Sequence, residues 1–151
     1  MKILVQLQAL HKIAGRLHVQ AGKLSDSRHF WQSVGEYMLR RTIKECFDKE
    51  RAPDGTKWKP LSPARLRQRL KRHKTGRMKI LQDTGELRRS VRYRASGNSV
   101  VIGSNLKYSK TQQFGRGKIP ARPFLGFTHA DGQKIISMFA AYLTHHVFSG
   151  G

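Results

Sequence analysis

Side chains that could perform catalysis or bind a metal are few in this sequence, and they are not spaced for either task. Cys46 falls on the apolar face of a predicted helix, where a buried structural thiol is expected. The seven histidines show no HExxH pattern or other short metal-ligand spacing. The basic loop Gly115-Arg116-Gly117-Lys118 lacks the length and the following Ser or Thr of a phosphate-binding loop. We therefore predict a protein that is not an enzyme and that has neither a metal site nor a cofactor.

Positive charge is the strongest compositional feature. The 151 residues include 30 Lys and Arg against 9 Asp and Glu, which gives a formal net charge of +21. A charge of this size predicts contact with nucleic acid, an acidic protein or a membrane surface, and composition does not choose among them. The segment 55–82 carries ten of these cations and no acidic residue, so we expect it to be extended or mobile without a counter-charge.

Length and cysteine content restrict the architecture. A single domain over 1–151 is expected at this length, and one cysteine excludes an intramolecular disulfide framework. There is no run of about 18 apolar residues that could span a membrane. The first ten residues lack the cleavage site of a signal peptide. We therefore expect a reducing, cytosolic compartment.

Helical periodicity predicts the elements before and within the basic segment. Apolar residues recur at helical spacing over 6–24 and again over 28–49. The second of these helices is apolar on both sides, which indicates burial within the fold or against another subunit. Pro53-Asp54-Gly55 is a turn signal. Ser62-Pro63 then begins a helix, with Ser as its N-cap, that runs to about Arg72.

A short helix and a hairpin are predicted after the basic segment. Asp83 and Glu86 have the spacing of a capping box for a helix near 84–90, which explains the two carboxylates without catalysis. Val91–Ala95 alternates apolar and basic residues, and Ser99–Gly103 is rich in β-formers. A Gly-Asn pair between them suits a tight turn.

The last third of the chain is predicted to return to helix. A helical turn is expected at Ser109–Phe114, and the proline-stiffened segment Ile119–Phe127 is expected to end as a strand. Asp131 is the predicted cap of a final helix over 132–147. The fold class is therefore α+β, with a small antiparallel sheet packed with two or three longer helices and a basic extended loop region. The segments within the single domain are an N-terminal helix at 1–25, a basic loop and helix insertion at 51–82 and a frayed tail at 148–151.

Four short motifs follow one another along the chain, after Phe47. They are Pro53–Leu61 (PDGTKWKPL), Ile80–Leu87 (ILQDTGEL), Val100–Gly115 (from VVIG to QFG) and Ile119–Gly126 (IPARPFLG). Each motif alone is weak, but the ordered set is specific. Over 28–147 the chain resembles the phage virion morphogenesis family, also called tail completion proteins and typified by Mu-like phages.

The resemblance implies a structural protein of a bacteriophage virion, which completes the tail and joins it to the head as a ring at the head–tail interface. It implies a homo-oligomer, with a hexamer expected, and other tail and head–tail connector proteins as partners. DNA passing through the ring and no membrane are expected. The protein would lie at the head-proximal end of the tail, after assembly in the host cytoplasm. The motif residues with an expected structural role are Pro53, Asp54, Gly55, Trp58, Leu61, Asp83, Thr84, Gly85, Leu87, Tyr108, Phe114, Gly115, Pro120, Arg122, Pro123 and Phe124.

Arg122 is the motif residue with the most specific chemistry. Prolines on both sides fix the backbone around it, and its guanidinium could bind a carboxylate or backbone carbonyls through a planar, bidentate arrangement. An intrachain structural role and a subunit contact in a ring both stay open. Trp58 is predicted to be a packing anchor rather than a platform for stacked bases. The aromatic and leucine residues expected in the core are Phe114, Phe124, Leu125 and Phe127.

A different class of function is sequence-independent nucleic-acid binding through the basic 57–79 segment. Phosphate contacts would give a salt-dependent affinity. Its main block, 62–79, lies outside the shared family pattern, lacks interleaved aromatic residues and has no zinc-finger or RNA-recognition signature. The residues expected to contact either DNA or an acidic partner are Arg65, Arg67, Arg69, Lys71, Arg72, Lys74, Arg77 and Lys79. A ring protein should oligomerise without nucleic acid, whereas a dedicated binder should need it.

Overall fold

Helices and a small sheet, as predicted for the α+β class, make up the computed structural model, which describes residues 2–6, 27–72 and 78–148. The predicted helix over 6–24 lies outside these residues, except for Gln6, which ends a strand. The described helices include none that is both long enough and apolar enough to cross a membrane.

The described residues separate into two compact units. One, here called the motif unit, contains the described residues of Arg40–Arg92 together with Gly103–Gly126. The other, here called the helical unit, contains the described residues of Lys2–Leu39 and of Phe127–Gly151 together with Tyr93–Ile102. The four sequence motifs fall largely in the motif unit.

The sheet contains the predicted hairpin and one strand that was not predicted. Its strands are β1 (Lys2–Gln6), β2 (Val91–Ala95) and β3 (Ser99–Ser104), in the spatial order β1-β3-β2. The hairpin of β2 and β3 is therefore confirmed. Alternate residues of β3 are buried, as expected for a strand with one face on the core, and they include Val100 and Ile102. The strand β1 was missed because its three-residue apolar run next to a helical pattern has no distinct periodicity.

The first described helix is buried along one broad face, which corrects the predicted burial on both sides. Helix α1 covers Arg28–Arg41 and continues as a π-helical turn over Thr42–Phe47. Trp31 and Val34, three residues apart on the same face, are both fully buried, whereas Gln32, Ser33 and Glu36 on the opposite side are exposed. Gly35 allows the ring of Tyr93 to lie directly on α1, because a side chain at this position would overlap that ring.

Three further helices begin where local signals place them. Helix α2 covers Pro63–Arg72, and the Ser62 side chain caps it by accepting a hydrogen bond from the Arg65 N–H at 3.3 Å. Helix α3 covers Glu86–Ser90, and helix α4 covers Ser109–Phe114. Each agrees with its predicted range to within two residues.

The final helix, α5, covers His129–Phe148 and begins earlier than predicted. Asp131 is not its N-cap. The Thr128 hydroxyl accepts the Asp131 N–H at 3.2 Å, and the Asp131 carboxylate accepts the Thr128 N–H at 2.8 Å. The two residues form a reciprocal capping box in which Thr128 is the cap. The predicted strand at the end of Ile119–Phe127 is also wrong, since this segment is irregular.

Aromatic residues form the centre of each unit. In the motif unit, the Phe47 ring packs against Trp58, with centroids 5.8 Å apart, and against Phe124 at 5.6 Å. In the helical unit, the Phe30 ring lies 5.0 Å from Trp31 and 5.2 Å from Phe139. Cys46 is completely buried, which agrees with a structural thiol.

Candidate functional site

Arg122 is buried in the motif unit and binds two consecutive backbone carbonyls. Its Nε donates to the Lys59 carbonyl oxygen at 2.8 Å, and Nη2 donates to that of Pro60 at 3.0 Å. The intrachain alternative therefore describes this side chain, which connects the fourth motif to the first. Burial lowers the pKa of Arg122, and the positive charge of Arg69 lowers it further. The guanidinium is thus held in a site with reduced solvation and a like charge nearby.

Trp58 forms a second connection between the same two motifs. It is buried, and its indole Nε1–H donates to the Pro123 carbonyl oxygen at 2.7 Å. Its ring packs edge-on against Phe47. The prediction that Trp58 is a packing anchor is confirmed, and the indole nitrogen adds a directional bond to the apolar contact.

Gln113 connects the third motif to the fourth, and sequence reasoning missed its role. Its side-chain oxygen accepts the N–H groups of Phe124 at 3.0 Å and Leu125 at 3.1 Å. Its side-chain nitrogen donates to the Leu125 carbonyl oxygen at 2.7 Å. A buried amide that makes three bonds to one irregular segment takes the place of a neighbouring strand. The signal that could have revealed this role is the glutamine itself, which is the polar residue of the QFG motif.

Gly115 allows the backbone just after Gln113 to pass close to the backbone of Ile119 and Ala121. Its φ is +75°, and a Cβ there would lie 2.8 Å from the Ala121 nitrogen and 2.9 Å from the Ile119 carbonyl oxygen. A larger residue would force the two motif segments apart. The backbone of Gln112 then accepts the Arg122 N–H at 2.7 Å.

The first motif begins with the predicted turn. The Asp54 carboxylate accepts the Thr56 N–H at 2.9 Å, and this hydrogen bond lowers the pKa of Asp54. Gly55 has a φ of +88°, as a turn glycine requires. Pro53 contacts Gly126 closely, and the Arg41 guanidinium donates to the Pro53 carbonyl oxygen at 3.0 Å.

Asp83 does not cap a helix, which corrects the predicted capping box. The residue at the N-cap position of α3 is Gly85, whose left-handed φ of +73° confirms the need for glycine there. Asp83 instead forms ion pairs with three arginines of α2. Its carboxylate lies 3.2 Å from Arg65, 3.4 Å from Arg72 and 3.6 Å from Arg69. The helix side that the sequence makes basic is therefore docked on the second motif.

Arg69 lies at the centre of this cluster and is only 4% exposed. Its Nη1 donates to the Lys79 carbonyl oxygen at 2.8 Å. Burial lowers the pKa of Arg69, and the negative charge of Asp83 opposes that shift. Because its side chain is enclosed within the motif unit, Arg69 serves the docking of α2 rather than an exposed contact.

The other basic residues predicted to contact DNA or an acidic partner differ in their surroundings. Arg67 and Lys71 are exposed on α2. Lys79 is exposed, and its Nζ donates to the Asp48 carbonyl oxygen at 3.3 Å. Lys74 and Arg77 lie outside the described residues. The outward face of α2 thus carries Arg67 and Lys71 for any external anion.

Two aromatic residues predicted in the core lie at the surface instead. Phe114 is 62% exposed and Phe127 is 46% exposed, whereas Phe124 and Leu125 are buried as predicted. The rings were assigned to the core by their hydrophobicity alone, but Phe114 ends the short helix α4 with its side chain in solvent. Of the remaining motif residues, Leu87 is buried, Leu61 and Pro120 are half-buried, and Thr84 and Tyr108 are exposed.

A groove of about 1010 Å³ opens on the motif unit, between α2, α3 and the segment before Arg122. At its edge, the Tyr108 hydroxyl donates to the Glu86 carboxylate at 3.3 Å. Partial burial and that carboxylate both raise the pKa of Tyr108. The groove is lined by Lys59, Pro60, Leu61, Ser62, Pro63, Arg65, Arg69, Leu81, Asp83, Thr84, Glu86, Leu87, Tyr108, Gln112, Lys118, Ile119, Pro120 and Arg122. Most of these residues belong to the motifs or to α2.

Metal binding finds no support in the part of the chain that the structure describes. No group of three or more His, Cys, Asp or Glu side chains there could hold an ion. The chemistry that the arrangement offers is therefore the recognition of carbonyl, carboxylate and apolar groups by arginine, glutamine and aromatic side chains.

Comparisons with known proteins agree with the motif pattern. The sequence model of the phage virion morphogenesis family matches residues 5–144. A curated protein, Mu-like prophage FluMu G protein 1 from Haemophilus influenzae, is 33% identical over 104 residues, which is 69% of this chain and 70% of that protein. No solved structure matches the chain.

Proposed function

Because the chain belongs to the phage virion morphogenesis family, we propose that it is the structural protein that completes a bacteriophage tail and joins it to the head. In this proposal it forms a ring of identical subunits, with six expected, at the head–tail interface. The observation that carries the proposal is the family match over 5–144, which includes all four motifs. The role is structural rather than enzymatic.

The connections within the motif unit support a docking role. Arg122, Trp58 and Gln113 each bond the backbone of a segment distant in sequence, so the irregular loops have a defined shape. Loops that are held in this way can present a preformed surface to a partner, which lowers the conformational cost of binding. Such a surface suits a component that must fit between two other assemblies.

Exposed apolar side chains on the same unit support contact with other subunits. Leu70, Tyr108, Phe114 and Ile119 are each more than two-fifths exposed. Large apolar side chains that stand in solvent on ordered segments are typical of interaction surfaces when they lie together. We propose that neighbouring subunits of the ring, or tail and connector proteins, cover them.

The location follows from the same proposal. The protein would be assembled in the host cytoplasm and would stay in the virion at the head-proximal end of the tail. DNA would pass through the ring, and the outward face of α2, with Arg67 and Lys71, is available for its phosphates.

A second candidate function is sequence-independent nucleic-acid binding by the basic segment, which the exposure of Arg67 and Lys71 favours. The two candidates differ in what drives assembly. Light scattering after size exclusion of nuclease-treated protein, at low and high salt, separates them. A discrete oligomer free of nucleic acid at both salt concentrations supports the ring. A monomer that becomes large only with DNA, and releases it as salt rises, supports the nucleic-acid binder and contradicts autonomous ring assembly.

A further inference from the structure

The groove of the motif unit combines an apolar lining with an excess of positive charge. Its lining includes five cationic residues and two acidic ones. Proline, leucine and isoleucine side chains make up much of the remainder. On the exposed face of α2, by contrast, Arg67 and Lys71 stand in solvent beside a single large apolar side chain, Leu70.

The base of the groove holds two buried guanidinium groups. Arg122 is 6% exposed, and both of its hydrogen-bond acceptors are neutral carbonyl oxygens. Arg69, beside it, shares the carboxylate of Asp83 with Arg65 and Arg72, and the negative charge of Glu50 also acts on it. The charge at the base is therefore only partly compensated within the chain. A carboxylate brought into the groove would be attracted by both buried cations in a poorly solvated site.

The rim of the groove offers apolar contacts and further cations. Ile119 is 43% exposed and Tyr108 is 41% exposed, and both line the groove. Lys59 and Lys118 also line it and are exposed. An occupant could therefore bury apolar side chains against Ile119 and Tyr108 while its carboxylates meet the lysines.

We propose that this groove binds an extended peptide segment, rich in both apolar and acidic side chains, that belongs to another protein of the virion. The inference rests on the proposed function only in assigning the segment to a virion partner. The apolar side chains would supply affinity through burial, and the carboxylates would fix the register through charge-assisted hydrogen bonds to arginine and lysine.

Charge and shape favour this occupant over a second copy of the chain or a DNA duplex. A second copy has a net charge of +21 and 9 acidic residues among 151, so its segments would mostly repel the groove. Duplex DNA would meet the cations with phosphates but would leave the apolar lining unused. A volume of about 1010 Å³ is at the upper end of the range for small-molecule pockets, and it has room for several side chains of a peptide.

The test is a selection from a yeast-displayed library of random short peptides, which also contains overlapping segments of this chain. The full-length protein is the labelled bait. The groove variant is Lys118→Glu combined with Ile119→Ser, since both side chains are exposed and the fold should survive. Lys44→Glu is the matched control, because Lys44 is exposed in the same unit and does not line the groove. Circular dichroism and thermal unfolding verify that all three baits are folded.

We expect wild-type protein to enrich peptides that contain both acidic and apolar residues. Titration of the enriched peptides should show a loss of at least about tenfold in affinity for the groove variant and less than about twofold for Lys44→Glu. Replacing either the acidic or the apolar residues of a peptide should weaken its binding.

Four results would overturn the proposal. They are the absence of enrichment, enrichment of acidic peptides without apolar residues, equal weakening by Lys44→Glu, and displacement of the peptides by a DNA duplex at comparable concentration. Enrichment of this chain's own segments would also overturn it, because the occupant of the groove would then be a second copy of the chain. Light scattering on the same variants reports ring assembly separately, so failure of the groove and failure of the proposed function are distinguishable.

Discussion

The motif unit and the helical unit are stabilised by different kinds of interaction. In the helical unit, the aromatic rings around Phe30 pack regular helices together, and a capping box at Thr128 begins α5. In the motif unit, long polar side chains bond the backbone of irregular segments: Arg122 binds two carbonyls, and Gln113 makes three bonds. A helix satisfies its own backbone groups, whereas an irregular segment needs partners from elsewhere. The comparison shows that the motif residues replace the hydrogen bonds that a sheet would have supplied.

This difference has a consequence for assembly. Loops held by side chains keep a fixed shape while remaining at the surface, where a partner can reach them. The groove and the exposed side chains of Tyr108 and Ile119 lie on such segments or beside them. We therefore expect both units to contribute to stability, and the motif unit to determine what the protein binds.

The largest effect is expected from an apolar truncation in the helical unit. Phe30→Ala should lower the free energy of unfolding by about 4 kcal/mol, because a buried aromatic ring is lost and a cavity remains. Hydrogen exchange should show the loss of protection in α1 and α5. A cost below about 1 kcal/mol would contradict the view that aromatic packing dominates this unit.

A polar truncation in the motif unit is expected to have an effect almost as large. Gln113→Leu keeps the volume of the side chain but leaves three backbone groups without partners, which should cost about 3 kcal/mol. The control is Gln112→Leu, whose half-buried side chain has no such bonds and whose loss should cost less than about 0.5 kcal/mol. Urea unfolding measures both. Equal costs for the two variants would mean that the amide does not connect the third and fourth motifs.

The ion-pair cluster on α2 should contribute less. Asp83→Asn should cost about 2 kcal/mol, because one of its three arginine partners, Arg69, is buried and would lose its compensating charge. Asp48→Asn is the control, since the ion pair of Asp48 with Arg88 at 3.1 Å is exposed and should contribute less than about 1 kcal/mol. Thermal unfolding compares them. A larger cost for the control would place the important charge pair outside the cluster.

The smallest effect is expected from the turn of the first motif. The pKa of Asp54 is lowered from 3.8 by the hydrogen bond from Thr56, so its carboxylate stabilises the fold fully above pH 3.8. That contribution is lost as the pH falls from 3.8 through the lowered pKa. Asp54→Asn should remove this part of the acid sensitivity. NMR titration of the Asp54 carboxyl measures it, and an unshifted or raised pKa would contradict the turn geometry.

Local signals predicted much of the fold. The bounds of α2, the β2–β3 hairpin and the turn at Asp54 each depend on a few adjacent residues, so the sequence determines them directly. The burial of Trp58 also followed from residue type. The predicted burial of α1 on both sides was wrong, because its buried residues all fall on one broad face. Strand β1 did not, because its pairing with β3 is a contact distant in sequence.

The candidate site was predictable only in part. The four motifs identified the segments, and the two prolines identified Arg122 as a residue with a fixed backbone. Which groups these side chains bind depends on how the loops meet, so the three bonds of Gln113 and the arginine partners of Asp83 were not foreseen. The exposure of Phe114 has the same origin, since hydrophobicity alone does not specify which rings a loop leaves in solvent.

The most direct test of the central proposal is the position of the protein in the particle. Gold-labelled antibodies against this chain, applied to purified particles of the phage that encodes it, can be seen by negative-stain electron microscopy. The proposal predicts label at the junction of head and tail, and separate heads and tails when the protein is absent. Label distributed over the capsid, or intact particles that form without the protein, would contradict it.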